Sequence, residues 1–403
     1  MRKTAEVVII GGGIVGCTIA AELSRIMEGV VLLERDNIES YASSSNFGMI
    51  WQQTRFVGYD TYMSQTTQRL IEEGIREGTF DIDFEYEKAG GLTIAFQELQ
   101  LDVMRRQCER KREAGVDMYV ISRAETLEME PNLNKNLVGA IFCPNDARAN
   151  PMLMTMAYAN LARNRGALLY ENVEVTGIQT KKGKVEKVLT SMGEITTPLV
   201  INAAGSWARS VAAMVNIDLP VYPQRLQALV TEPMPKILGN RIIQVARDIE
   251  EGMDPEKATG FMFEYEGEQT EENLPKLPVE DTIFTYVQQT LSDTIAIGTT
   301  NEFVGLDIRT TPEALSAMMK AAVRVCPVLE ESNIIRTWAS VVPFTYDGMP
   351  ILGQVDGVYG FLLATGHGHA MCHAPALAEQ IKELVVTGEV PEKIREMSIQ
   401  RLI

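Results

Sequence analysis

The chain has no surplus of positive charge, only three histidines and no cysteine pair at metal-binding spacing. Thirty-seven lysines and arginines against 54 aspartates and glutamates give a formal charge of −17. Such a surface offers no general attraction for nucleic acid or anionic lipid, so neither is expected as a main partner. No apolar run approaches the roughly 20 residues of a membrane span. The five cysteines, at 17, 108, 143, 326 and 372, lack any CxxC pattern, which points to free thiols in a reducing cytoplasm. Acidic residues cluster in 248–256 and 264–272 with no histidine nearby, so both runs read as solvated faces rather than metal sites. An internal repeat and a low-complexity linker are also missing. What remains is the composition of a soluble globular protein, 45% hydrophobic and 23% charged. Its 403 residues are enough for two domains.

What is present is organised around Val7-Val8-Ile9-Ile10 and the glycines that follow. Four β-favouring apolar residues make a buried strand, and Gly11, Gly13 and Gly16 then turn the chain into a helix running through Ala20 and Leu23. Gly11 permits the tight turn, Gly13 lets the backbone approach a pyrophosphate, and Gly16 allows the helix to pack close to the strand. The helix N-terminus offers N–H groups and a positive dipole end to phosphate. Val30-Val31-Leu32-Leu33 supplies a second strand, and Glu34 at its end is placed to accept both hydroxyls of an adenosine ribose. Strand, glycines, helix, strand and acid in this order read as a dinucleotide site rather than an isolated glycine-rich turn. The acid disfavours a ribose 2′-phosphate and hence NADP, which leaves FAD and NAD. Because the turn uses these glycines and Glu22 interrupts the apolar segment, the segment reads as structure and not as a leader.

Beyond Glu34, Ser43-Ser44-Ser45-Asn46-Phe47-Gly48 offers hydroxyls, an amide and a permissive backbone, suited to phosphate oxygens. Residues 59–77 read as an amphipathic helix with Tyr62, Leu70 and Ile75 on its apolar face, 90–96 as a strand, and 101–114 as a charged surface helix. Asn150-Pro151 opens a further helix to Arg165, with Asn as N-cap and Pro at the first helical position. Strands are expected at 168–170 and 173–178, and a buried one in 198–205 that ends in small residues. Between 220 and 300 the pattern turns to strands, loops and prolines with little helix, the mark of a second domain built on a β-sheet. Thr311-Pro312 starts a helix to about Val325, after which the chain returns to the first domain.

Further segments complete a pattern: Glu125-Thr126-Leu127-Glu128-Met129-Glu130-Pro131-Asn132-Leu133, Asp146-Ala147-Arg148-Ala149-Asn150-Pro151 and Asn202-Ala203-Ala204-Gly205-Ser206-Trp207. After them come Arg336-Thr337-Trp338-Ala339, Asp347-Gly348-Met349-Pro350-Ile351-Leu352-Gly353 and Ala364-Thr365-Gly366-His367-Gly368-His369-Ala370-Met371. In this order, and over nearly its whole length, the chain resembles the D-amino-acid oxidase family of flavoproteins. That family includes glycine oxidase, sarcosine oxidase and the flavin subunits of proline, opine and hydrogen-cyanide-forming dehydrogenases.

The resemblance implies an α/β fold: a Rossmann-like FAD-binding domain of 1–85, 145–215 and 330–403, with a β-sheet-based substrate domain of 86–144 and 216–329. It implies FAD rather than NAD. Gly11, Gly13 and Gly16, with Ile14 and Val15, would cradle the pyrophosphate, Glu34 and Arg35 would meet the ribose, and Val175 the adenine. Ser43, Ser44, Asn46, Gly48 and Met49 would approach the pyrophosphate and flavin, as would Ala203, Ala204, Gly205 and Trp207. His367, Gly368, His369, Ala370 and Met371 would lie under the isoalloxazine, where a helix beginning near Ala374-Pro375 adds its dipole. All three histidines (367, 369 and 373) fall in this stretch. HxHxxxH invites a metal, but the family places none there, so no metal is expected; His373 reads as packing.

The implied reaction is oxidation of a C–N bond in an amine or N-substituted amino acid, by hydride transfer to flavin N5 and hydrolysis of the imine. Oxygen or an electron-acceptor subunit would take the electrons, in a homo- or hetero-oligomer. Oxidation of a 2-hydroxy acid, a flavin subunit in a hetero-oligomeric dehydrogenase, and a non-catalytic flavoprotein are the alternatives. His367, His369, Arg55 and Trp51 are the candidate catalytic residues, with Gln53, Tyr265 and Tyr286 as further pocket candidates. Two departures from the family stand out. Val342 occupies the place where many relatives carry a carboxylate-binding arginine, which favours a substrate without a carboxylate beside the oxidised carbon; Arg55 is the alternative cation, ahead of Arg336. No cysteine lies between Trp338 and Pro350, which argues for non-covalent FAD.

Overall fold

The computed structural model describes residues 2–249, 274 and 277–402. Eight strands and four helices position the site. In chain order they are β1 (Val7–Ile10), α1 (Ile14–Leu23), β2 (Val30–Leu33), α2 (Tyr59–Arg76), α3 (Pro151–Asn164), β3 (Leu168–Tyr170) and β4 (Val200–Asn202). There follow β5 (Tyr222–Pro233), β6 (Ile334–Phe344), β7 (Ile351–Gln354), β8 (Phe361–Thr365) and α4 (Ala370–Thr387).

The first sheet runs β7-β8-β4-β1-β2-β3. Four of its five strand pairings are parallel, and only β7 runs against β8. Every residue of β1 and β2 is buried, as expected of parallel strands covered on both faces. Ile10 pairs with both Asn202 and Leu33, so three strands end side by side at Gly11. All of α1 except Glu22 is buried. A helix apolar all round must be enclosed, and α1 is packed against the sheet, α3 and α4. Its Thr18 hydroxyl reaches the Ile14 carbonyl at 2.9 Å and that of Ala374 in α4 at 3.1 Å.

The second sheet has eight strands, in the order Ile334–Phe344, Tyr222–Pro233, Thr294–Gly298, Tyr286–Gln289, Ile242–Val245, Gly91–Ala95, Gly139–Cys143 and Tyr119–Ser122. β6 therefore pairs with β5, from Tyr222–Phe344 to Thr231–Ile334, rather than joining the dinucleotide sheet as the expected boundary at 330 implied. At 11 residues it is matched in length, among the described strands, by β5 with 12. A three-stranded sheet, Val175–Lys181, Lys184–Thr190 and Gly193–Thr196, packs beside the first.

Caps follow the sequence: Asn150 accepts from Leu153 N at the start of α3, and Thr311 from Ala314 N at the start of the helix Pro312–Val325. Two local expectations change. In α2 the buried face is largely polar (Asp60, Thr61, Ser64, Thr67 and Gln68 beside Met63 and Ile71), while Ile75 is exposed. That face meets the loop before it and α4, and its polar groups bond there: Ser64 donates to Trp51 O at 2.6 Å, and Thr67 Oγ1 accepts from Ala376 N at 3.3 Å. And α4 begins at Ala370, four residues ahead of the expected start. Pro375 gives up only one intrahelical bond, and packing on α1 and α2 holds the turn around it. Tyr265 and the acidic runs beyond 249 lie outside the described residues.

A Cβ on Gly16 would sit 1.9 Å from the Gly11 carbonyl oxygen, inside β1's own turn. Gly16→Ala is therefore expected to cost about 1–3 kcal/mol in urea unfolding, as overpacking does; an unchanged midpoint would show that α1 can lift from the strand.

Candidate active site

One cavity opens at the carboxyl ends of the parallel strands, where open α/β sheets bind ligands. At its nucleotide end it is lined by Gly11, Gly13, Ile14, Val15, Glu34 and Arg35. Glu34 is fixed by two backbone donors, Gly12 N at 2.7 Å and Asp36 N at 2.8 Å. Arg35 pairs with Asp36 and lies 4.6 Å over the Trp207 ring, and these two side chains line the cavity together with Val175. Ser43 accepts from Ile14 N at 2.9 Å, which ties the serine loop to the start of α1. Asn46 and Met49 continue the lining on this side, and Ala203, Ala204, Gly205 and Trp207 on the other.

Five expected residues do not reach the cavity. Gly16 packs under the Gly11 carbonyl, and Gly48, where a Cβ would fall 1.7 Å from Ala149 O, packs against α3's approach. Ser44 faces a second cavity behind the loop, beside Asn150 and Arg336. Trp51 is buried, its backbone N–H toward Cys372 Sγ and its ring against Gly91. Gln53 is likewise held elsewhere, donating to Asp146 at 2.6 Å and accepting from Thr93 at 2.8 Å. Sequence reasoning missed Gln224, Leu226 and Ala228 of β5 and Ser340 of β6. Their alternation is the only signal, and it names a face without saying what the face meets.

The far end of the cavity is a chamber walled by Leu226, Phe284, Tyr286, Val342 and Phe344, with Arg55, His367, Gly368, His369, Ala370 and Met371 closing it. The expected uncharged wall at Val342 exists, but the chamber is not uncharged. Arg55 is 2% exposed, and its Nε and Nη1 have no hydrogen-bond partner; only Nη2 is used, toward Thr54. A buried guanidinium with two free nitrogens calls for an anion, because leaving it unpaired is costly. Burial, with His373 close by, holds His367 well below its ordinary value, and both its nitrogens are unpartnered. Burial and then Arg55 do the same to His369, so both rings are neutral at physiological pH. Burial pushes the Tyr286 hydroxyl up to about 12.

His373 is not mere packing: its Nε2 lies 2.5 Å from Asp60 Oδ1, and the two residues are 313 apart in sequence. Asp60 Oδ2 also accepts from Phe56 N at 2.8 Å. Among the described residues no group of three or more His, Cys, Asp or Glu side chains is arranged to hold a metal ion. No described helix is long and apolar enough to cross a membrane.

A glycine turn on parallel strand ends, an acid on the second strand and a separate chamber walled by another sheet define a dinucleotide-dependent redox protein. The chain belongs to the FAD dependent oxidoreductase family, whose profile matches residues 6–254 and 242–384. It is 27% identical over 406 residues to mouse dimethylglycine dehydrogenase, covering 99% of this chain and 44% of that protein. It is 29% identical to human sarcosine dehydrogenase, covering 98% and 41%. The chain thus spans less than half the length of these relatives. The glycine oxidase of Geobacillus kaustophilus is matched end to end, at 26% identity over 100% of this chain and 98% of that one. Among solved structures, L-proline dehydrogenase from P. horikoshii superposes with a TM-score of 0.84 at 26% identity, covering 100% of this chain and 98% of that one. The cradle fits FAD, the cofactor of this family: an anchored acid, a side-chain-free turn and helix N-termini at both ends of one cavity.

Burial alone would raise the Asp60 carboxyl, but Arg55 and His373 hold it well below the usual carboxylate range. A folded-state value below the unfolded one of about 3.9 gives stability that is present above that pH and lost as pH falls below it. Asp60→Asn should therefore destabilise strongly at pH 7, by about 3–5 kcal/mol as for a broken buried pair, and clearly less at pH 3. Equal losses at both pH values in chemical unfolding would contradict the pairing.

Proposed function

We propose that this protein oxidises the C–N bond of an α-amino acid or N-substituted amino acid, with the substrate carboxylate seated on Arg55. The buried guanidinium with two free nitrogens at the chamber end of the cavity carries this reading. A bidentate pair fixes both distance and orientation of the carbon to be oxidised. Val342, Phe284 and Phe344 desolvate that carbon, and Tyr286 offers a protonated hydroxyl to the polar end of the substrate. Relatives named for glycine, sarcosine, dimethylglycine and L-proline support a small amino acid. Val342 alone favoured a carboxylate-free substrate; the buried Arg55 in the same cavity supports a carboxylate instead, with the cation on the loop before α2.

FAD, when bound, supplies the two-electron acceptor, and the imine product hydrolyses in water. Gly11 and Gly13 with the start of α1 would hold its pyrophosphate, Glu34 its ribose, and the Arg35–Trp207 wall its adenine side. The N-terminus of α4, at Ala370 and Met371, would face the negative charge of the reduced ring. FAD is held without a covalent bond: Cys372 lines the cavity, but burial raises its thiol and it is already engaged with Met49 O at 3.1 Å. In this reading the six-stranded sheet carries the flavin and the eight-stranded sheet the substrate. Five free, buried thiols support a reducing compartment such as the cytoplasm.

A second reading makes the chain the flavin subunit of a hetero-oligomeric dehydrogenase. It is favoured by a match at 26% identity to a hydrogen cyanide synthase subunit, HcnC of Pseudomonas protegens, covering 91% of this chain and 88% of that one. Turnover with an artificial acceptor but not with oxygen would select it.

Anaerobic flavin bleaching by a panel of amino acids, N-methyl amino acids, simple amines and 2-hydroxy acids tests the main reading. Amino acids should bleach the flavin, and amines without a carboxylate should not. Arg55→Ala should weaken small carboxylates about 10- to 100-fold in spectral titrations, the loss of one charge-assisted pair. Bleaching by carboxylate-free amines, or unchanged titrations, would overturn it. Acid precipitation should release all the yellow colour to the supernatant; colour in the pellet would refute the non-covalent claim.

A further inference from the structure

A substrate ammonium has no lone pair with which to assist hydride loss, so its proton must go elsewhere before the C–N bond is oxidised. We propose that Asp60 and His373 form a proton store behind the chamber, reached through His367 and His369. The inference rests on the amine-oxidising reading above.

The geometry is that of an oriented base. Asp60 and His373 are both 4% exposed and joined by the 2.5 Å contact between Oδ1 and Nε2. A carboxylate there fixes the hydrogen of the neutral ring on Nε2 and leaves the lone pair on Nδ1. That Nδ1 is buried and has no partner. The His373 ring centre is 5.9 Å from that of His367 and 6.4 Å from that of His369, and both of those residues line the chamber with Arg55. Tyr59 stands edge-on at 6.0 Å, its hydroxyl also unpartnered. Free polar atoms on Arg55, His367, His373 and Tyr59 thus gather in one buried region, which is the setting for a bridging water or a rotating ring.

Electrostatics assigns the roles. His367 and His369 can pass a proton but not keep one, since burial disfavours their charged forms and Arg55 lies beside His369. Only His373 has a carboxylate against it. The groups facing the pair are Tyr59 from α2, Arg55 from the preceding loop, and His367, His369 and Cys372 around the start of α4. Two cations lie further out. Lys111, hydrogen-bonded to the Gln53 carbonyl, is felt at Asp60, and Arg401 at Tyr59. Only Asp60 among these can balance an imidazolium at short range. In the step, one N–H bond of the ammonium breaks and its electron pair stays on nitrogen. The proton ends on His373 Nδ1, beside the Asp60 carboxylate, and nothing is oxidised or reduced.

The experiment uses the FAD-loaded protein and stopped-flow flavin reduction by the best amino acid of the panel, from pH 6 to 10. His373→Gln keeps a donor for Asp60 but cannot take up a proton; Asp60→Asn removes the counter-charge. For both, reduction at pH 7 should fall about 10- to 100-fold, with the loss shrinking as pH rises and the substrate arrives deprotonated. The limb of the pH profile should move up by about one unit or more. Small-carboxylate affinity in His373→Gln should stay within about twofold, since Arg55 is untouched. Independently, nitrogen-15 spectra of the three histidines should show one ring held as the Nε2–H tautomer, and lose that signature in Asp60→Asn. A loss of equal size at every pH, or an Nδ1–H tautomer at His373, would overturn the proton store while leaving amine oxidation standing. If no amino acid reduces the flavin of the unmodified protein, the amine reading itself fails, and the proton store with it.

Discussion

The structure depends on how closely α1 approaches the strand before it. β1 ends at Gly11, and the helix that follows must lie against that turn with nothing on Gly16 to hold it away. This closeness brings the N-terminus of α1 level with the ends of β2 and β4, so that Glu34, Ala203 and the turn share one rim. The same closeness leaves α1 enclosed, and α4 is what encloses it from the far side. The start of α4, and with it His367 and His369, is thereby fixed relative to the nucleotide turn. The nucleotide turn and the chamber are two ends of one packing arrangement.

The nucleotide half was legible because its signals are local. A run of β-branched residues, three glycines at fixed spacing and an acid at a strand end each carry their meaning within a few residues. Asn150-Pro151 and Thr311-Pro312 were legible for the same reason, since a cap is satisfied within its own turn. Even so, the motif did not distinguish residues that touch the cavity from residues that shape it. Gly16 and Gly48 are required by backbone crowding and Ser44 by the loop it braces, although none of them faces the cavity.

The chamber half was poorly legible, because its partners are distant in sequence. The pairing of β6 with β5 was not foreseen, since nothing in Ile334–Phe344 says which long strand will accept it. Val342 on its own favoured a substrate without a carboxylate beside the oxidised carbon, and the buried cation that shares its cavity comes from residue 55, on another element altogether. Asp60 and His373 are 313 residues apart, and neither signals the other alone: one is an acid in the first turn of a helix, the other a histidine that read as packing. The one available hint was the polar face of α2. Threonines, a serine and a glutamine at helical spacing are too many for a solvent face that is in fact buried, and they mark a surface already committed to specific partners.

The six-stranded sheet also bears on how the chain can be assembled. Its strands come from residues 7–33, 168–202 and 351–365, so a ribosome must deliver most of the chain before the sheet can close. Until α4 emerges, α1 has an apolar side with nothing to cover it, and β4 lacks its outer neighbour β8. Long-range parallel pairings of this kind form slowly, and intermediates that wait for them expose sticky surface. The eight-stranded sheet has the same dependence, since β5 waits about a hundred residues for β6. Synthesis therefore holds both halves of the molecule open until nearly the same moment, and the cavity between them first exists when the last helix docks.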